Sequence, residues 1–164
     1  MDEPPPVLEP GASLPGRVLW SLKARFYSWR LTGDKLARVR VFMLFHDPDH
    51  TFAVPHSLGM QKGLLGIVHA YADPAYDRTN NVVLAHELLH TLGATDKYDP
   101  ATSQPLFPQG YAEPDATPRH PQRFAEIMGG RIPVSEDEAQ MPASLAQAVV
   151  GPETAREINW IRRP

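Results

Sequence analysis

The sequence predicts an α+β domain in which a small mixed sheet and one long helix sit above an irregular C-terminal part. Three observations carry this. Segments 37–46 and 63–71 have the apolar runs of strands, and segments 17–31 and 79–92 place apolar side chains at helical spacing. Beyond residue 99 that periodicity stops, and Pro105, Pro108, Pro114, Pro118 and Pro121 break the chain into turns. A length of 164 residues suits one domain with a genuine core. The expected organisation is a lead-in over 1–15 and a single domain over 16–164, with an upper part at 16–93 and a lower part at 94–164.

Taken in order, Pro4, Pro5, Pro6, Pro10 and Pro15 make 1–15 an extended or unstructured linker. In 17–31, Leu19, Leu22, Phe26 and Trp29 form the face expected to pack on the sheet, with Arg17, Lys23, Arg25 and Arg30 on other faces. The same pattern fits a basic helix lying on an anionic membrane, but the packed helix is the reading preferred, and membrane contact is not expected of this chain. Gly33-Asp34 supplies a turn. In 37–46, Arg38 and Arg40 alternate with Val39 and Val41 before Phe42-Met43-Leu44-Phe45, a run expected in a strand buried on both faces. His46, Asp47, Asp49, His50, His56 and His69 read as turn and surface residues and not as a second metal site. Segment 63–71 is the second strand. Asp73, Asp77 and Asn80 follow in a loop where a solvated turn is expected and a structural Ca2+ is the weaker alternative.

The next helix has Asn80 or Asn81 as candidate caps, an apolar face including Val82, Leu89 and Leu92, and Gly93 where a left-handed terminal residue is expected. The region 99–123 is a long irregular connection, of a kind that is often functional. Ser135-Glu136-Asp137-Glu138 has the form of a capping box and predicts a helix. Pro152 after Gly151 predicts another, running to Trp160, and the apolar stretch 145–150 between them is expected to be buried.

Net charge of −3 and a pI near 6.1 give no electrostatic case for a nucleic-acid partner. With no cysteine, any bound transition metal must be held by histidine and carboxylate. No signal peptide, repeat or membrane-spanning stretch stands out, so the chain is either soluble as it is or the soluble piece of a longer one. An extracellular, periplasmic or membrane-tethered placement is expected over a cytoplasmic one.

Chemistry is concentrated in His86-Glu87-Leu88-Leu89-His90-Thr91-Leu92-Gly93-Ala94-Thr95-Asp96. Histidines four apart lie one helical turn above each other and reach one cation, while the adjacent Glu87 projects beside it as a general base. The reversal at Gly93 brings Asp96 back as a third ligand, leaving the fourth position open, which is the arrangement of a catalytic zinc site. Glu126 is the substitute ligand.

The pattern H-E-x-x-H-x-x-G-x-x-D resembles the metzincin zinc endopeptidases, and the aspartate in third place is similar to their snapalysin branch. Glu126-Ile127-Met128-Gly129-Gly130 resembles the metzincin Met-turn, with Met128 in the buried position beneath the histidines. The likeness runs from Thr79 to Arg131. It implies a metzincin-like fold with the strand 63–71 at the upper rim of the cleft, one catalytic Zn2+ held by His86, His90 and Asp96, and hydrolysis of a peptide or protein substrate with Glu87 as base. Many relatives carry a tyrosine two residues after the turn methionine, where this chain has Gly130, so the resemblance leaves the oxyanion stabiliser unassigned. The alternative is a zinc-stabilised module that binds peptide without cutting it.

Overall fold

The structure, a computed structural model, describes residues 5–9, 11–31, 38–61 and 64–162. It is a mixed α+β fold with three helices and three small sheets among these residues. The turn expected at Gly33-Asp34 lies outside them.

The first helix, α1, spans Leu14–Leu31. Strands β1 (Arg40–His46), β2 (Leu58–Met60) and β3 (Leu65–Tyr71) form the main sheet in the order β1-β3-β2, with β1 parallel and β2 antiparallel to β3. The central strand is therefore β3, wholly buried except at His69 and Tyr71. It is not the edge strand at the cleft rim. That edge belongs to β2, because the chain returns through 54–60 before entering β3. The run Phe42 to Phe45, expected to be buried on both faces, lies instead on the other edge strand, half-buried, with Phe45 59% exposed.

The face of α1 that meets the sheet also differs from expectation. Trp20, Ala24 and Ser28 are buried, with Trp20 and Ala24 packed on Leu65 and Ile67, whereas Leu19, Leu22, Phe26 and Trp29 are exposed. Spacing of i, i+4, i+8 makes Trp20, Ala24 and Ser28 one face. The small side chains at 24 and 28 let the helix lie close, and the indole fills the remaining gap while its Nε1–H donates to Pro6 O at 2.7 Å.

The second helix, α2 (Asp77–Leu92), crosses the opposite face of the sheet, with β2 and β3 against it. A β-carbon at Gly59 would overlap Glu87 O and His90 Cβ, so strand and helix meet backbone to backbone. Neither Asn80 nor Asn81 caps this helix, which already begins at Asp77 after a single turn, Pro74–Tyr76, capped by Asp73. Asn80 is used differently: its side chain accepts from Tyr71 N–H and donates to Tyr71 O, tying the end of β3 to the helix. The stop is as expected, with Gly93 at φ 111° and Ala94 N–H returning to Leu89 O.

The C-terminal part is irregular and held by two short ladders, β4 (Ala125–Glu126) with β7 (Ala148–Val149), and β5 (Ile132–Pro133) with β6 (Ala139–Gln140). The helix α3, Pro152–Glu157, begins on its proline as predicted but ends before Ile158 and does not run on to Trp160. No helix follows Ser135. Its hydroxyl accepts from Asp137 and Glu138 N–H in the manner of a cap, but the chain then enters β6, and Pro142 stands where a second helical turn would need a donor. Burial of 145–150 is also only partial: Leu145 is exposed in a single turn, Leu145–Gln147, and beyond it Ala148 and Val150 pack on the core while Val149 turns outward with the alternation of a strand.

The second core joins Val82 and Leu89 of α2 to Ala94, Ile127, Met128 and Ile158. Beneath it lies Glu126, fully buried. One carboxylate oxygen accepts from Met128 and Gly129 N–H, and the other from Gly151 N–H and the Thr154 hydroxyl, at 2.7–3.0 Å. Removing this acceptor would leave Met128 N–H, Gly151 N–H and the Thr154 hydroxyl unmatched, while Gly129 N–H keeps Glu126 O, so Glu126→Ala is expected to destabilise the fold by about 3–5 kcal/mol. Denaturant unfolding of the variant beside the parent measures it; a loss below about 1 kcal/mol would contradict the assignment.

Candidate metal centre

The α2 register places His86 and His90 on one face, and the turn at Gly93 returns Asp96 to them. His86 Nε2 lies 3.1 Å from His90 Nε2, and Asp96 Oδ1 lies 3.2 Å from the first and 3.1 Å from the second. Atoms on a tetrahedron around zinc at bonds of about 2.0–2.1 Å are about 3.3 Å apart. This triangle has nearly that size. Among the described residues it is the one group of three or more histidine, aspartate or glutamate side chains whose ligand atoms converge.

Both imidazoles are oriented from behind. His86 Nδ1 faces Ile127 O and His90 Nδ1 faces Ala94 O, each at 2.9 Å. A carbonyl only accepts, so both Nδ1 atoms carry the proton. In the neutral rings both Nε2 atoms then present lone pairs to each other and to the carboxylate. Three facing lone pairs repel unless a cation lies among them. Two imidazole nitrogens and one carboxylate oxygen are a donor set suited to zinc.

The charges respond accordingly. Where a proton stands in for the cation, His86 and His90 donate to Asp96, and these bonds and the imidazolium charge outweigh burial and hold the carboxyl far below its usual range. His90 goes up: burial opposes its protonation, and the bonds to Asp96 and Ala94 prevail. Glu87 is buried beside this group and its pKa is raised, first by desolvation and further by the Asp96 charge, against the opposing pull of the histidines and a hydrogen bond from Gly59 N–H.

The group opens into a cleft of about 680 Å³ whose lining includes His69, Glu87, Tyr98, Arg131 and Met141. Its rim on the sheet side is the segment 54–57 that leads into β2. Tyr98 escaped the sequence reading, although the turn that returns Asp96 necessarily returns the residue two further on. Its ring lies 6.2 Å from that of His86, and its phenol is pushed up by burial, by the charges of Asp96 and Glu87 and by a hydrogen bond to Asp96. A β-carbon at Gly130 would lie 3.9 Å from the Tyr98 ring, so Tyr98 stands next to the position where the resembled family carries its tyrosine.

Glu126 is not part of the converging group, since both its oxygens serve the backbone and Thr154. Asp73 caps the turn before α2, Asn80 is bonded to Tyr71, and His46 and His69 contact each other at 2.8 Å. Comparison with protein families, with curated proteins and with solved structures found no match to this chain.

Glu157 is the second residue without a local signal. Its carboxylate accepts from Thr95 N–H, the Thr95 hydroxyl and Lys97 Nζ at 3.0, 2.6 and 2.7 Å, clamping the turn on both sides of Asp96. Burial raises its pKa, but these donors prevail and lower it. A carboxylate depressed in the fold contributes stability that is present above its ordinary pKa and lost as pH falls through the folded value. Glu157→Gln should therefore cost about 2–3 kcal/mol near neutral pH, because it leaves the buried Lys97 ammonium without its counter-charge. The difference from the parent should shrink below the ordinary glutamate range. Urea unfolding across pH tests this, and a pH-independent difference would show that charge plays no part.

Proposed function

We propose that the chain is a zinc-dependent peptidase with a metzincin-like fold. The observation that carries the reading is the convergence of His86 Nε2, His90 Nε2 and Asp96 Oδ1 at 3.1–3.2 Å, with both imidazoles fixed by backbone carbonyls. His86, His90 and Asp96 would hold the ion, and bound zinc supplies a Lewis acid that polarises the scissile carbonyl and acidifies water. Glu87 takes the proton of the attacking water and passes it to the leaving amine. Burial fits it for both steps by raising its proton affinity, and Gly59 N–H fixes its direction. Tyr98 reaches the same cleft, and its hydroxyl hydrogen, which Asp96 accepts in the free protein, moves to the oxygen that becomes negative when water adds to the carbonyl. Substrate backbone lies along the rim at 54–57, which leads into β2, an edge strand of the sheet among the described residues.

Glu87→Gln should keep its metal and lose peptide hydrolysis by about a hundredfold or more, since it removes the base and no ligand. Metal analysis paired with a peptide-library digest tests this, and parental cleavage by the variant would refute the mechanism.

The third ligand has its own test. Asp96→Ala should lose zinc, Asp96→His should regain much of the affinity, and Glu126→Ala should keep zinc wherever it remains folded. Tyr98→Phe should keep zinc and lower kcat by about tenfold to a hundredfold with little change in KM. Loss of zinc from the Glu126 variant but not from the Asp96 variant would move the third ligand to the methionine turn.

A further inference from the structure

The side of α1 turned away from the sheet carries Val18, Leu19, Leu22, Phe26 and Trp29, each more than half exposed. At 100° per residue they occupy an arc of about 100°, directly opposite the arc that Trp20, Ala24 and Ser28 bury. The Phe26 and Trp29 rings lie 5.9 Å apart, forming one continuous aromatic surface. Along one margin of this stripe stand Lys23 and Arg30, both exposed. The helix has four basic and no acidic residues, in a chain whose net charge is −3. An apolar stripe of this width is what a helix normally buries, and here the sheet covers the other side.

We propose that this outward face of α1 docks the protein on an anionic membrane surface. The stripe enters the boundary between headgroups and acyl chains, Trp29 sits at headgroup level, and Lys23 and Arg30 meet lipid phosphates and carboxylates. Charge identifies the occupant. A second copy packed face to face would bring together two helices that carry no acidic residue, whereas an anionic surface complements their basic ones. None of the described helices is long and apolar enough to cross a membrane, so α1 lies on the surface. No residue of α1 lines the cleft, which stays accessible in the docked protein, and the docking stands independently of peptidase chemistry.

The test is sedimentation of the full chain with vesicles of phosphatidylcholine alone and of phosphatidylcholine mixed with phosphatidylserine, at low and high salt. Binding is expected on the mixed vesicles, about tenfold or more weaker on the neutral ones, and weakened by salt. Phe26→Ser combined with Trp29→Ser should abolish it, and Lys23→Glu combined with Arg30→Glu should reduce it about tenfold or more, with circular dichroism unchanged because these side chains are exposed. Brominated acyl chains should quench the parent's fluorescence and quench Trp29→Phe markedly less. Failure to bind the mixed vesicles, or binding untouched by either double variant, would overturn the proposal. So would a parent dimer that the Phe26/Trp29 variant converts to monomer, which would give the face to a second copy.

Discussion

A carboxylate with no exposed surface is tolerated only if every lone pair in use has a donor, because burying an unpaired charge costs several kcal/mol. Glu126 meets that condition, and its donors lie at two ends of the lower half. Through Met128 and Gly129 it fixes the turn whose Ile127 carbonyl orients His86. Through Gly151 and Thr154 it fixes the start of α3, whose last residue, Glu157, clamps the turn carrying Asp96. Two of the three converging side chains thus owe their position to contacts that lead back to one buried acid. In sequence that acid reads as a spare ligand; in the fold it is the foundation.

The His86, His90 and Asp96 group was legible because its geometry is local. Eleven residues contain it, and helix periodicity plus one glycine reversal fix the relative directions of the three side chains. Glu157 and the carbonyl of Ile127 were not legible, since nothing near them in the chain signals a partner some 60 or 40 residues away. Tyr98 lies between these cases: its return to the cleft follows from the same reversal, but only the fold brings its ring beside Gly130.

For the fold, pattern identified elements better than faces. Helix α1 was foreseen with nearly its full extent, yet it carries apolar residues on both sides, and hydrophobicity favours the larger set, Leu19 to Trp29. Close packing favours the smaller set, because Ala24 and Ser28 permit an approach that large side chains prevent. The apolar run of β1 was similarly overread, for only pairing determines that β3 occupies the centre. At Ser135 the local cap formed and the helix did not, since a cap aligns a first turn but cannot supply the donor that Pro142 lacks.

The backbone contact at Gly59 separates two properties that protein cores usually link. Where helices rest on sheets through side chains, their spacing follows side-chain volume, and each substitution in the core shifts the helix slightly. Over Gly59 the height of α2 is set by main-chain atoms of Glu87 and by the first side-chain carbon of His90. The surrounding hydrophobic residues can therefore vary in size, with consequences for stability, while the distance between the rim and these two residues stays constant. Sequence drift in the core leaves the cleft in calibration.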